Sequence, residues 1–268
     1  MKRIAYLLLL LAALTSSAES GVTILGGLTQ EATLQPGERM EGSIQLNNDT
    51  DSVAVVKLYQ TDYLFYADGR TEYGDPGSMQ RSNAGWISIS PMHVSIPPGE
   101  TVPVYYEVKV PPETDLTGTY WSIIMVEPGA PGQTQELRGA DGQAALGLNT
   151  VIRYAVQMIV NIGKSGNNAV RVVKNEMVSI DGKETLVSDI ENVGDRWMRP
   201  AFWVELYDEQ GKFTGRYESE TKRIFPGCSV RHILDLTEVP SGQYSALMIV
   251  DSGDERVFGA NYRVRLQK

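Results

Sequence analysis

Alternating hydrophobic and polar positions dominate the chain after residue 20. Four segments carry this pattern with many β-branched and aromatic residues. They are RMEGSIQLNN (39–48), DSVAVVKLYQTDY (51–63), VPVYYEVKVPP (102–112) and YWSIIMVEPG (120–129). Turn residues separate the segments, and no long stretch with helical periodicity follows residue 20. The pattern predicts an all-β protein built as an antiparallel sandwich.

An internal repeat divides this β-rich chain into two similar parts. Residues 98–129 and 226–253 share the order Pro-Gly, Val, a strand, Val-Pro, Gly-x-Tyr and an apolar strand with Met and Val. Tyr120 and Tyr244 fall where a sandwich of the immunoglobulin type places its tyrosine corner. The repeat therefore predicts two tandem immunoglobulin-like β-sandwich domains.

The predicted domain limits follow from a short polar, glycine-containing stretch after residue 162. Such stretches are typical of linkers. We expect an N-terminal domain over residues 19–163, a linker over 164–167 and a C-terminal domain over 168–268. A linker this short should keep the two domains close together.

The first residues of the chain, MKRIAYLLLLLAALTSSAES, have the pattern of a secretory signal peptide. A short basic region precedes an apolar run, and small residues follow it. We expect residues 1–18 to be removed on export. The apolar run is too short to span a membrane, and no later run approaches the length of a span.

Charge and composition narrow the possible partners. The formal net charge is -9, which argues against nucleic-acid binding because phosphates require a basic surface. The hydrophobic content of 42% is sufficient for folded cores. The single cysteine, Cys228, excludes an internal disulfide, and we expect a small buried side chain there.

Candidate catalytic and metal-binding residues are sparse. His93 and His232 fall in different predicted domains, without cysteine or carboxylate neighbours at metal-ligand spacing. The sequence contains no G-x-S-x-G motif and no phosphate- or dinucleotide-binding glycine loop. The acidic stretch 47–52 lacks the spacing of a calcium loop and is interpreted as a turn. We expect a protein that is not an enzyme and holds no cofactor or metal.

Taken in order, the segments of residues 30–160 resemble the periplasmic pilus-assembly chaperones. The resemblance rests on NNDTDSVAVVKLYQTDY, on WISISPMHVSIPPGETVPVYYEVKVP and on GTYWSIIMVEP. Trp86 precedes Ser90-Pro91 and Pro98-Gly99, as in that family. The resemblance implies two immunoglobulin-like domains and a role in binding secreted subunits whose own sandwich lacks a strand.

The family resemblance also implies a donated strand. Members insert alternating apolar side chains from the last strand of the first domain into the subunit, a form of β-strand addition. Here the stretch AALGL follows a Gly/Pro/Gln-rich loop (128–143) that we expect to be mobile. Ala144, Leu146 and Leu148 occupy the alternate positions. Arg153 matches a basic residue that the family uses in the interdomain cleft to contact the subunit's terminal carboxylate.

Two positions depart from the family pattern. Ala32 stands where a second basic residue is expected, and Gly147 interrupts a donor segment that begins with the small Ala144. Two interpretations of Leu146 and Leu148 therefore remain open, because they could be lent to a partner or cover this chain's own core. From Ile152 onward the alternation is that of an ordinary core strand, with residues 153, 155, 157, 159 and 161 on a half-solvated face.

The sequence thus predicts a chaperone-like protein of the periplasm that binds pilin-like or surface subunits by strand donation. The alternative is a structural or adhesive module of the envelope or cell surface that binds protein or glycan. That alternative also allows a surface or secreted location. The sequence does not identify the partner or the oligomeric state.

Overall fold

The computed structural model describes residues 21–129, 152–253 and 256–266, and nearly all regular structure in them is β-strand. In the first half the strands are β1 (Val22–Leu25), β2 (Thr29–Leu34), β3 (Arg39–Asn48), β4 (Ala54–Phe65), β5 (Thr71–Gly74), β6 (Ile87–Ser90), β7 (His93–Ile96), β8 (Thr101–Lys109), β9 (Gly118–Pro128) and β10 (Tyr154–Ile162). One short 3-10 helix, Ala84–Trp86, precedes β6.

The second half of the chain contributes seven further strands. They are β11 (Val170–Ile180), β12 (Lys183–Asn192), β13 (Ala201–Tyr207), β14 (Phe213–Ser219), β15 (Ser229–Asp235), β16 (Gly242–Asp251) and β17 (Val257–Leu266). No helix in the described ranges is long and apolar enough to cross a membrane.

The strands form four sheets arranged as two sandwiches. In the first sandwich, a sheet of order β1-β3-β8-β6 faces a sheet of order β2-β10-β9-β4-β5, with β7 also paired to β4. In the second, a sheet of order β11-β12-β15 faces one of order β14-β13-β16-β17. Every pairing but one is antiparallel, the exception being β2 with β10. The predicted all-β class with two immunoglobulin-like sandwiches is confirmed.

The first strand of the first sandwich changes sheets part of the way along. β1 pairs with β3 in one sheet, and β2 pairs with β10 in the other. The change occurs at Gly26 and Gly27, whose φ angles of +86° and +97° lie in a region that other residues rarely adopt. The switch allows one strand to close the seam between the two sheets.

Each sandwich has its own apolar core. The alternation predicted the inward residues of most strands correctly, such as Ile44 and Leu46 on β3. β9 is buried on both faces, because the first core covers one face and the 3-10 helix region together with the second sandwich covers the other. Cys228 is fully buried, as expected, and burial raises the pKa of its thiol to about 12.

One expectation about β10 is wrong. Ile159 and Asn161 were assigned to a half-solvated face, but only 1% and 3% of their surfaces are exposed. Ile159 packs into the core cluster of the second sandwich, and Asn161 accepts a hydrogen bond from Thr119 Oγ1 at 2.7 Å. The sequence pattern describes one sandwich alone and carries no information about burial by the other.

Candidate partner-binding site

The three predicted donor residues, Ala144, Leu146 and Leu148, lie outside the residues that the structure describes, as does the predicted signal peptide. The described chain resumes at Ile152, two residues before β10. Ile152 is 62% exposed. The surroundings of β10 therefore define what the candidate site offers.

β10 is paired along its whole length on one side and along only part of its length on the other. β9 pairs with it along its whole length, from Tyr154 to Ile162. β2 pairs with it only from Gln157 onward, since Thr29 lies opposite Gln157. Among the described strands none covers the other edge of residues 154–156. That edge presents backbone N–H and C=O groups to which another strand can add.

Arg153 lies next to this open edge. Its side chain is 55% exposed and forms an ion pair with Glu127 of β9, with 3.1 Å between Nε and Oε2. Glu127 also accepts a hydrogen bond from the hydroxyl of Tyr59 at 3.2 Å. Arg153 precedes by four residues the first β10 side chain that touches the second sandwich, Gln157. The guanidinium is thus directed toward β9, the paired side of β10.

Ala32 faces Val160 in the β2–β10 pair, at the covered end of β10. The neighbouring Glu31 supplies charge there instead of a basic residue. Its Oε1 accepts hydrogen bonds from Asn161 Nδ2 and from Trp197 Nε1, both at 2.9 Å. The first strand thus contributes an acidic residue that is bound by groups of both sandwiches.

The basic partner of Glu31 comes from the second sandwich. Arg223 Nη2 lies 3.5 Å from Glu31 Oε2, and its Nη1 donates to Gln157 Oε1 at 3.5 Å. The guanidinium also lies 4.4 Å from the ring centre of Trp197. Burial lowers the pKa of Arg223, and Glu31 opposes that effect. The sequence analysis did not identify Arg223 as a site residue. The one feature of the sequence that could have indicated it is the Lys-Arg pair just before the second Pro-Gly turn.

Aromatic packing holds the two sandwiches together behind this charged cluster. The rings of Trp121 and Phe225 stack with 4.9 Å between centroids and 13° between planes. Phe65 meets Phe225 edge-on at 6.2 Å. Trp121 Nε1 donates to the carbonyl of Tyr63 at 3.0 Å, so its polar group is satisfied within the apolar contact. The contact fixes the base of β10 against the second sandwich.

A close backbone approach adds a second contact between the halves. Gly118 has a φ of +73°, and a Cβ built on it would lie 1.9 Å from the carbonyl oxygen of Asp195. The amide of Thr119 donates to that same oxygen at 2.8 Å. Only glycine fits at position 118. The two halves are therefore joined by backbone atoms as well as by side chains.

The two histidines and the acidic stretch 47–52, which the sequence analysis considered for catalysis or metal binding, lie away from β10. His232 is buried with its Nδ1 2.5 Å from Ser219 Oγ, and His93 is exposed on β7. The residues 47–52 form a turn in which Asn48 donates to the carbonyls of Ser52 and Ile96. Within the described ranges no three histidine, cysteine or acidic side chains are grouped so that they could hold a metal ion.

Comparison with known proteins gives matches among solved structures only. No family model matches the sequence, and no curated protein matches it. A chaperone–tip adhesin complex of CFA/I fimbriae matches with a TM-score of 0.49 and 13% identity, over 92% of this chain and 100% of that one. The class 5 fimbriae chaperone CfaA gives 0.48 and 13% over the same shares. The Salmonella enterica SafB chaperone complex with the SafA pilin gives 0.44 and 13%, over 92% and 96%.

These three structures are of fimbrial chaperones, the class that the sequence resembles. The likeness is loose at these scores.

Proposed function

We propose that this protein is a periplasmic chaperone-like protein that binds secreted pilin-like or surface subunits by β-strand donation. Ala144, Leu146 and Leu148 supply the donated side chains, and Arg153 contacts a carboxylate of the subunit. The observation that carries the proposal is the open edge of β10 at residues 154–156, which follows the donor segment in sequence after residues 149–153.

Backbone pairing provides the affinity in such a mode of binding. Three residues of β10 have one unpaired edge, and the donor segment would extend that edge toward the N-terminal side of the strand. Addition of a strand there satisfies hydrogen-bonding groups on both chains, while alternate side chains enter the core of the partner. Ile152, exposed and next to the edge, adds apolar surface to the same ladder.

Arg153 is held by an ion pair that a carboxylate of a partner can replace. Its ion pair with Glu127 is at the surface, and such pairs contribute about 0–1 kcal/mol. A subunit carboxylate can therefore exchange with Glu127 at little cost. A planar guanidinium also binds a carboxylate through two parallel hydrogen bonds, which favours it as a contact for a chain terminus.

The test is capture of subunits by the tagged full-length protein in the periplasm of the source cell. The wild-type protein is compared with the double variant Leu146→Glu/Leu148→Glu. The matched control is Val55→Glu/Val173→Glu, which makes the same change of charge at two exposed apolar residues on β4 and β11. Captured chains are identified by mass spectrometry.

We expect the wild-type and control proteins to capture a small β-rich subunit that lacks one strand, and the donor variant to lose at least tenfold of it, about 1.4 kcal/mol. Arg153→Gln should weaken the capture of the same subunit by a smaller factor. Equal capture by all variants would contradict strand donation. Capture of polysaccharide alone would favour an adhesive module instead.

A further inference from the structure

The two seams of the second sandwich differ. On one side β14 and β15 come together and close the gap between the sheets. On the other side β11 and β17 are the facing edge strands, and a groove with a volume of about 380 Å³ lies between them. No described strand crosses from one sheet to the other at this seam, unlike β1 and β2 in the first sandwich.

The groove between β11 and β17 is lined almost wholly by apolar side chains. Met248 and Val250 form its floor, and its walls come from β11 and from the first four residues of β17. The wall residues are Val170, Val172, Val257, Phe258, Gly259 and Ala260. The stretch 257–260 is about 10 Å long at the rise of a strand, which suits an extended segment of three or four residues.

Both walls of the groove are strand edges with unpaired backbone groups. Among the described strands, β11 pairs only with β12 and β17 only with β16. A bulge between Val172 and Lys174 interrupts the β11–β12 ladder next to the groove. An occupant that carries its own backbone N–H and C=O groups can pair with either wall. A lipid or another apolar small molecule cannot, so the free edges favour a polypeptide.

Residues that precede the two walls of the groove in sequence line a second, basic pocket. That pocket has a volume of about 290 Å³ and is lined by Lys164, Arg196, Arg256 and the backbone around Gly166 and Asn168. The two sites are joined in sequence, because Asn168 precedes Val170 and Arg256 precedes Val257.

Two of the three cations have no carboxylate partner in the part of the chain that the structure describes. Arg196 Nη1 donates only to the carbonyls of Gly163 and Ser165, at 3.3 and 2.9 Å, and Lys164 is exposed without an ion pair. The adjacent carboxylate of Asp195 is already engaged by Arg81 and by the amide of Asn167. The pocket therefore presents positive charge to a ligand.

We propose that the groove between β11 and β17 is a second polypeptide-binding site, distinct from β10. Its occupant is an extended segment with apolar residues at alternate positions and an acidic residue at the end that reaches Lys164 and Arg196. The apolar side chains fill the space above Met248 and Val250, and the backbone of the segment pairs with the free edge of β11 or β17. The site is formed by the second sandwich together with Lys164 of the predicted linker, and it does not rest on strand donation by the first sandwich.

Binding of short synthetic peptides to the full-length protein tests this site. The probe is a fluorescein-labelled peptide of sequence Glu-Val-Thr-Val-Thr-Val with blocked ends, together with its reversed sequence, since either direction can pair. The same peptides with Gln in place of Glu measure the contribution of the charge. Fluorescence anisotropy gives the dissociation constants, and amide chemical shifts locate the bound peptide.

Two exposed valines provide a matched pair of variants. Val257 is 60% exposed and lines the groove, whereas Val173 is 58% exposed at the bulge of β11 and does not line it. Val257→Lys should weaken binding about tenfold or more, because it removes an apolar contact and introduces a charge into the groove. Val173→Lys should leave the affinity unchanged, and both substitutions are at exposed positions that leave folding intact.

The charge of the pocket is tested separately. Lys164→Gln should weaken the Glu peptide about threefold and leave the Gln peptide unaffected, as for a single surface ion pair. Loss of binding with Val257→Lys, retention with Val173→Lys and shifts confined to β11 and β17 support the proposal. Equal loss with both lysine variants, shifts on β10, displacement of the peptide by laurate, or absence of binding at millimolar peptide would each overturn it.

Discussion

In both sandwiches a buried asparagine at the end of a strand is hydrogen-bonded to a Pro-Gly turn. The two sandwiches differ in how the seam between their sheets is closed. In the first, Asn48 at the end of β3 receives a 2.9 Å hydrogen bond through its carbonyl from Gly99 of the Pro-Gly turn. In the second, Asn192 at the end of β12 receives a 2.8 Å bond from Gly227 of the equivalent turn. Both asparagines are fully buried, and both side-chain amides donate to backbone carbonyls.

The two sandwiches differ at the seam between their two sheets. The first strand of the first sandwich crosses between sheets at two glycines and covers residues 157–162 of β10. The equivalent strand of the second sandwich, β11, stays in one sheet and leaves the seam beside β17 open. The buried asparagine at the end of a strand is therefore common to both sandwiches, whereas the closure of the seam differs between them.

Substitution of either buried asparagine should have the largest effect on the free energy of unfolding. Asn48→Ala leaves the carbonyls of Ile96 and Pro97 without a side-chain donor and leaves that of Ser52 with Thr50 Oγ1 alone. Asn192→Ala removes the side-chain donor to the carbonyls of Arg196 and Ile224. We expect losses in the free energy of unfolding of about 3–4 kcal/mol for the first and somewhat less for the second. Urea unfolding measures both. Asn261→Ala, at an exposed position on β17, is the control, and losses no larger than the control's would contradict a structural role.

A pH-dependent loss should distinguish the second core from the first. His232 is buried against Phe202, and burial, with a smaller effect from Lys222, lowers its pKa to about 4. The unfolded chain binds the proton near pH 6.5, so between these values it holds more protons than the folded one. Stability is therefore complete above about pH 6.5 and falls by about 2–3 kcal/mol as the pH drops toward 4.

Hydrogen exchange at several pH values checks this expectation strand by strand. The amides of β12 and β15, which surround His232, should lose protection as the pH falls, while those of β3 and β8 in the first sandwich should lose less. His232→Gln should remove the difference between the two sets. Equal pH dependence of both sandwiches in the wild-type protein would show that His232 is not its source.

The next prediction concerns the two glycines at which the first strand passes from one sheet to the other. Gly26 and Gly27 have positive φ angles, and no atom lies within 4 Å of a Cβ built on either residue. The cost of Gly26→Ala/Gly27→Ala is therefore purely conformational, about 2 kcal/mol in total. Exchange of the β2 amides should become faster while that of β3 is unchanged. Gly85→Ala, which also has open space but an ordinary φ, serves as the control.

The smallest expected effect concerns the two repeated tyrosines. The hydroxyl of Tyr244 donates to the carbonyl of Pro240 at 2.8 Å, the bond of a tyrosine corner. Tyr120 instead packs its ring against Trp86 and lies below the guanidinium of Arg81. Tyr244→Phe should cost about 1 kcal/mol in unfolding free energy and Tyr120→Phe less than about 0.5 kcal/mol. Equal losses would mean that the two positions are equivalent after all.

Local patterns in the sequence predicted the fold where local physics decides it. The segment 39–48 is β3 with the same limits, and the repeated Pro-Gly turns mark equivalent places in the two sandwiches. The limits of residues 51–63 were less accurate, because β4 begins at Ala54 and runs on to Phe65, where it meets Phe225 of the second sandwich.

The site was harder to predict because its features depend on contacts between distant parts. Nothing local to Ile159 or Asn161 indicates that a second sandwich covers them. Arg223 becomes part of the β10 environment only through the angle between the sandwiches, and the open groove follows from the absence of a strand rather than from a motif. The assignments of Ala144, Leu146, Leu148 and Arg153 stay predictions.

The backbone approach at Gly118 has a mechanical consequence. Since no side chain separates Gly118 from Asp195, the two halves cannot slide past each other as lubricated surfaces do. Ile162 at the end of β10 pairs with Gly118, so this end of the strand is held at the contact while its start lies at the open edge. A side chain at position 118 would push the two halves apart, so their close contact depends on the absence of one methyl group.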